Sequence, residues 1–257
     1  MAYKQKKHIY NLQLTTEENL LLDKLFKFKL SHMAEALEQQ FLNPNSELDD
    51  FHTRITDLIN YEWDQRQTKK FNSLLSKATL KYPNADFDES LYEPDRKLDT
   101  HTIEKLQDCK WIDERKNLLI TGSAGAGKTH IANALCVTAL HQLRTVKYIR
   151  ASTLLQQSEQ ARNKNTSYEY TTEMSSYDLL VIDDFGLMEL DLEKCRDLFE
   201  IIETRDSRKA TMIVSQLPVA NWWDLFKDST YADACLSRMT AGAYRLDCNG
   251  RDMRKTE

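Results

Sequence analysis

NLLITGSAGAGKTH, residues 117–130, decides how the rest of the chain is read. An apolar run ends abruptly in glycine, and Gly122–Thr129 matches G-x-x-x-x-G-K-[ST] at every fixed position. The helix-forming residues after Lys128 supply the context that such a loop needs, between a buried strand and a helix. Glycines let consecutive backbone N–H groups point inward with no Cβ in the way of an oxyanion. The helix start adds partial positive charge at the same point. Gly122, Ser123, Ala124, Gly125, Ala126, Gly127, Lys128 and Thr129 are therefore the expected phosphate cradle, with the Lys128 ammonium on the β- and γ-phosphates of ATP and the Thr129 hydroxyl on Mg²⁺.

Working outward, DLLVIDD (178–184) is a second buried strand. Asp183 emerges where ligands sit in open α/β sheets and is the expected Mg²⁺ carboxylate. Asp184, beside it, is placed to orient the attacking water. TVKYIR (145–150) and ATMIVSQ (210–216) complete four expected strands, and the last ends in a polar pair, Ser215 and Gln216, of which either can sense the γ-phosphate. Helices are expected over 128–143 and 190–205. Strands alternating with helices predict an α/β fold, a parallel sheet covered on both faces. Trp111 and Ile112 stand where an adenine could lie, and the Trp222, Trp223, Leu225 and Phe226 group reads as core more readily than as a partner interface.

The N-terminal part has a different texture. From Thr15 to Lys81 there is no glycine and one proline. Thr15 and Glu18 have the spacing of a capping box. Leu21, Leu25 and Phe28, then Met33, Leu37 and Phe41, mark two amphipathic helices, and Phe51, Ile55, Leu58, Ile59 and Trp63 mark the face of a third. The expected organisation is a helical domain over 1–81, a Pro- and acid-rich linker over 82–100 and the ATPase domain over 101–257.

Composition bounds the rest. The 257 residues, 41 % hydrophobic and 29 % charged, describe an ordinary soluble chain, and the start MAYKQKKHIY lacks the apolar core of a signal peptide, so a cytoplasmic protein is expected. The five cysteines are scattered, which predicts reduced thiols. Net charge is −5, yet Arg66–Lys81 carries five cations and no acid. Arg66, Lys69, Lys70 and Lys77 fall near one helical face, as backbone tracking of duplex DNA requires. The alternative is a solvated face against the acids of 84–95. Arg162 and Lys164, in a polar stretch read as flexible, are a second DNA-contact candidate. Arg238 is either an arginine finger for a neighbour's ATP or a surface ion pair.

GSAGAGKT, LLVIDDFG, IVSQLP, YADACLSR and GRDMRK together resemble the IstB-like, DnaC-related branch of the AAA+ ATPases. LSHMAEALEQQ and INYEWDQRQTKKFNSLLSKA extend the resemblance through the N-terminal helices, as in insertion-sequence transposition helpers. It implies a protein that hydrolyses ATP, forms homo-oligomers on duplex DNA, remodels it with little sequence preference and recruits or activates the transposase of the same element. It implies Mg²⁺ binding by Asp183, water activation by Asp184, a sensor at Ser215–Gln216 and a trans-acting finger at Arg238, with Arg205 as a competitor. Many relatives carry Glu where Asp184 stands, and the shorter side chain implies slow turnover. A replicative helicase loader is the nearest alternative, and a P-loop kinase a more distant one.

Overall fold

The computed structural model describes residues 10–87, 98–248 and 250. The GRDMRK segment from 251 on, residue 249 and residues 88–97 of the expected linker lie outside the described residues. The chain divides into two compact units, Met1–Asn72 and Ser73–Glu257, so the residues after Asn72 group with the ATPase-like unit, earlier than the boundary at 81 expected from sequence.

The first unit is helical. α1 (Thr16–Lys27) starts with the anticipated capping box: Thr15 Oγ1 accepts from the Glu18 N–H, and Glu18 accepts from the Thr15 N–H. α2 spans Ser31–Leu42 and α3 spans Phe51–Ala78. The buried faces differ from the apolar stripes of the sequence. In α1, Leu22 is fully buried, while Leu21 and Phe28 are exposed. In α3, Leu58 is buried, but Phe51, Ile59 and Trp63 are exposed at 80, 52 and 62 %. Glu62 explains this rotation. No side chain caps α2 from its own start, and the Glu62 carboxylate accepts from the His32 and Met33 N–H groups at 3.0 and 2.8 Å. Those N–H groups have no partner within α2, so the inner position on α3 goes to an acid and the aromatics turn outward.

The second unit opens with two short helices, α4 (Thr100–Gln107) and α5 (Lys110–Asp113). Then come β1 (Leu118–Gly122), α6 (Lys128–His141), β2 (Val146–Arg150), α7 (Ala151–Asn163), α8 (Ser167–Ser176) and β3 (Leu179–Phe185). α9 (Leu192–Arg205), β4 (Ala210–Ser215), α10 (Ser229–Thr240) and β5 (Tyr244–Cys248) complete it. All five strands are parallel in the order β2-β3-β4-β1-β5, and the sequence had shown only four of them. β4 is buried along its whole length and β3 nearly so, which is why both are runs of apolar residues. The stretch after β2, read as flexible, is instead the helix pair α7–α8.

Two polar residues lock the frame. Asn117, just before β1, accepts from the Thr211 N–H and donates to the carbonyls of Arg238 and Met239, tying β4 and α10 to the foot of β1. Arg205, 1 % exposed, donates to the carbonyls of Met174, Tyr177 and Ala210 and to Thr211 Oγ1. Burial pulls its pKa down to about 9, which still leaves it charged at neutral pH. Every donor it uses is spent inside the unit, so Arg205 is a brace and no longer competes for a catalytic role. Trp222, between two short 3₁₀ turns, is wholly buried with its ring edge-on to Phe185, while Trp223 is half-exposed. All five cysteines are buried thiols, and burial raises the Cys109 pKa to about 11, which suppresses thiolate chemistry at neutral pH. No helix among the described residues is long and apolar enough to cross a membrane.

Burial pushes the Glu62 carboxyl up, but the Met33 N–H and the Arg66 guanidinium outweigh it and hold the pKa below its ordinary 4.5. A depressed carboxylate stabilises the fold above that value, and the gain is lost as pH falls through the folded-state pKa. Glu62→Gln should cost about 1–3 kcal/mol at pH 7. It should also flatten the acid loss of stability below pH 4.5, as urea titrations of the full chain at several pH values would read.

Candidate nucleotide-binding site

The loop between β1 and α6 is built where glycine alone fits. Gly122 pairs with Cys248 of β5, and a Cβ on it would come within 2.0 Å of the Cys248 carbonyl oxygen. Gly127, at φ 84°, turns the chain directly into α6. The first N–H groups of α6 thus lie at the carboxyl edge of the sheet. The Lys128 ammonium, almost buried, donates to the carbonyls of Gly122 and Ser123 at 2.8 and 2.7 Å, which holds it over the loop.

Asp183 sits at the same edge, 3 % exposed. Its Oδ1 accepts from the Asp184 N–H at 2.8 Å, and its Oδ2 accepts from Thr129 Oγ1 at 3.3 Å and from the Tyr148 hydroxyl. A hydroxyl and a carboxylate side by side are hard oxygen donors, the chemistry that suits Mg²⁺. The donor set therefore fits the metal expected with a nucleotide.

Behind this pair lies a buried relay that sequence did not indicate. Asn133, fully buried on α6, donates to the Thr129 carbonyl at 2.6 Å and accepts from the Tyr82 N–H at 3.1 Å. Its side chain also reaches the Tyr148 phenol, whose pKa is raised first by burial and then by the Asp183 charge. Tyr148 therefore keeps its proton and acts as a permanent donor to Asp183. A tyrosine in an apolar strand gives no sequence signal for this. On the other flank, Thr121 Oγ1 donates to Asp247 of the unforeseen β5.

Asp184 differs from its neighbour. Its φ is 56°, in the left-handed region, where the β3–β4 register shifts between Ile182 and Phe185. This turns its side chain off the strand, and Arg150 at the end of β2 holds it at 3.5 Å. Ser215 is buried and doubly engaged, donating to the Phe185 carbonyl at 2.6 Å and accepting from the Leu217 N–H at 3.0 Å. Of the expected polar pair, Gln216 is the partly exposed one at the edge.

The other expected residues lie elsewhere. Trp111 is buried and donates to the Leu106 carbonyl, and Ile112 is buried beside it, so neither opens onto a base site. Arg238, in the last turn of α10, pairs with Glu203, donates to the Ala234 carbonyl and stacks on Phe199. Asn117 holds the Arg238 carbonyl at the foot of β1. Gly122 is five residues up that strand, about 16 Å away at the usual strand rise. Arg238 thus stands at the sheet edge opposite its own phosphate loop. Arg66 donates to Glu62 and to the Lys29 carbonyl, and Arg162 is clamped by Asp197 and Glu193. Lys69, Lys70, Lys77 and Lys164 are exposed.

A family model described as "IstB-like ATP binding protein" matches residues 23–257. A protein of Sinorhizobium fredii named as an insertion-sequence ATP-binding protein is 34 % identical over 92 % of this chain and 96 % of its own length. One from the insertion sequence IS1162 of Pseudomonas fluorescens is 34 % identical over 77 % of this chain and 85 % of its own. Among solved structures, the DnaC helicase loader superposes with a TM-score of 0.52 at 20 % identity, covering 64 % of this chain and 93 % of that one, a likeness of fold.

Tyr148→Phe removes the hydroxyl donor to Asp183 while leaving Lys128 and the glycine loop intact. Binding of a fluorescent ATP analogue without metal should be unchanged. The Mg²⁺ concentration needed to tighten it should rise about 10–100-fold, the usual cost of losing a partner of a metal ligand.

Proposed function

The chain belongs to the family of IstB-like ATP-binding proteins, and on that premise we propose that it is an ATP-hydrolysing helper of DNA transposition. It assembles with copies of itself on duplex target DNA, remodels that DNA and recruits or activates the transposase of its own element. The observation that carries the ATP-dependent part is the contact between Thr129 and Asp183 beside the Lys128 ammonium. A cation, a hydroxyl and a carboxylate brought together at one sheet end support a site for a nucleotide with Mg²⁺.

Mg²⁺, when bound, would draw charge from the β- and γ-phosphates. The protein's own parts do the rest. Lys128 exchanges two loop carbonyls for phosphate oxygens, and the backbone N–H groups of Ser123–Thr129 hold the phosphates in line. Asp183, oriented by the Thr129 and Tyr148 hydroxyls, fixes the metal side. Asp184 orients the attacking water when its carboxylate is not held by Arg150, and Gln216 supplies a hydrogen bond at the γ-phosphate. Arg238 completes the charge complement from a neighbouring subunit, because its own phosphate loop lies across the sheet. Assembly is then a condition of hydrolysis, and ATP reports whether subunits are joined.

Two variants test this together. Arg238→Ala should bind ATP normally and lose DNA-stimulated hydrolysis by about 10³-fold or more, the range for arginine fingers. Lys128→Ala should lose nucleotide binding. Mixing the two inactive proteins should restore part of the turnover, because some interfaces then join an intact loop to an intact finger. No recovery on mixing, or an Arg238→Ala protein of normal activity, would remove the trans-acting role. Monomers under electron microscopy with ATP and duplex DNA both present would remove the assembly reading.

A further inference from the structure

β2 lies at the edge of the sheet, and a groove of about 310 Å³ runs along it in the second unit. Thr79, Lys81, Lys147, Arg150, Thr153 and Gln157 line it. Three cations therefore converge in a chain of net charge −5, and among the described residues no Asp or Glu is part of the lining. The Lys147 ammonium, on a strand whose backbone is paired with β3, has no hydrogen bond or ion pair among the described residues. Lys81 stands over the Tyr82 ring at 5.3 Å. Arg150 has Asp184 at 3.5 Å as its carboxylate neighbour.

The walls are fixed. The Thr79 hydroxyl donates to the Tyr148 carbonyl at 2.7 Å, the Tyr82 N–H donates to Asn133, and His130 Nε2 hydrogen-bonds the Asp86 carbonyl. Residues 79–86 are thus laid along the sheet edge and hold Lys81 opposite Lys147. Cations with hydroxyl and amide donors between them are what phosphate oxygens take.

We propose that this groove seats the phosphodiester backbone of duplex DNA, an assignment that rests on the DNA-binding reading above and gives it a location on the ATPase unit. The sequence candidates Arg66 and Arg162 are committed to carboxylates of their own units, whereas Lys147 has no such partner among the described residues. An acidic peptide would be the other anion of suitable size, and a peptide normally enters at a strand edge by adding to the ladder. Thr79 already occupies the Tyr148 carbonyl on that edge, which favours a ligand bound through phosphates. The groove floor includes Tyr148, so a backbone seated there lies one side chain from Asp183.

The test is the full-length Lys81→Ala/Lys147→Ala protein with a fluorescein-labelled duplex, read by anisotropy across a salt series with ATP and Mg²⁺ present. Two lost phosphate contacts should lower the slope of log affinity against log salt by about 1.8 and weaken binding at least about tenfold near 0.1 M salt. Fluorescent-ATP binding should be unchanged, and Lys81→Arg/Lys147→Arg should bind as the wild type does. Wild-type binding with no change in the alanine protein would overturn the groove and leave the DNA reading standing. An arginine protein as weak as the alanine one would make the effect structural and overturn it too. Loss of polyglutamate binding with duplex binding intact would assign the groove to an acidic protein instead. A wild-type chain that binds no duplex at any salt would overturn both the groove and the DNA reading.

Discussion

The Asp183 carboxylate is almost fully buried, and a buried carboxylate is tolerated only when donors surround it. Three do: the Asp184 N–H, the Thr129 hydroxyl and the Tyr148 hydroxyl. Each comes from a different part of the fold, so satisfying this one group fixes three relationships at once. Thr129 sets where α6 begins relative to β3. Tyr148 sets the height of β2 against β3. The Asp184 N–H demands the left-handed turn that takes Asp184 off the strand. The proposed closure of the loop on phosphates needs both the glycine conformations and an α6 held in that place.

The extent to which this was legible in sequence follows from how local each signal is. The glycine loop, the two buried strands and the carboxylate at the end of β3 were all readable, because the backbone geometry they need restricts residue type at fixed spacing. β5 was not. Arg245 and Asp247 alternate with Leu246 and Cys248 in a run of five, and so short an alternation carries little weight. Its identity as a strand depends on pairing with β1, a contact made across more than 120 residues. The rotation of α3 escaped for the same reason. Apolar periodicity pointed at Phe51, Ile59 and Trp63, but the bare N–H groups at the start of α2 made Glu62 the better inner residue. Similarly, Tyr148 and Asn133 look like ordinary core positions until the Asp183 carboxylate near the end of β3 is placed.

Charge shows the limit of counting. Arg66 and Arg162 contribute to basic stretches of sequence, yet both are neutralised within the fold by acids that sequence places 4 and 31–35 residues away. A cation bound to a buried or half-buried carboxylate releases no counterion when it meets DNA, so it adds little to affinity. What matters is the charge left over after internal pairing. By that measure the Lys147 ammonium on the edge strand, without a partner among the described residues, counts for more than either arginine.

On the proposed reading, the two ends of the strands divide the labour of hydrolysis. The residues proposed to hold phosphate and metal lie at the carboxyl ends of β1 and β3, as the direction of parallel strands requires. Arg238 is anchored at the amino ends, through Asn117 and the α9–α10 pair, and its guanidinium rests on Glu203 and Phe199. The Asn117 amide ties the last turn of α10 to the foot of β1 through the Arg238 and Met239 carbonyls. A cation anchored far from its own phosphate loop is poorly suited to a monomeric ATPase. It fits the proposed assembly, in which the nucleotide site is completed by an identical neighbour and the Glu203 pair holds the arginine until that neighbour arrives.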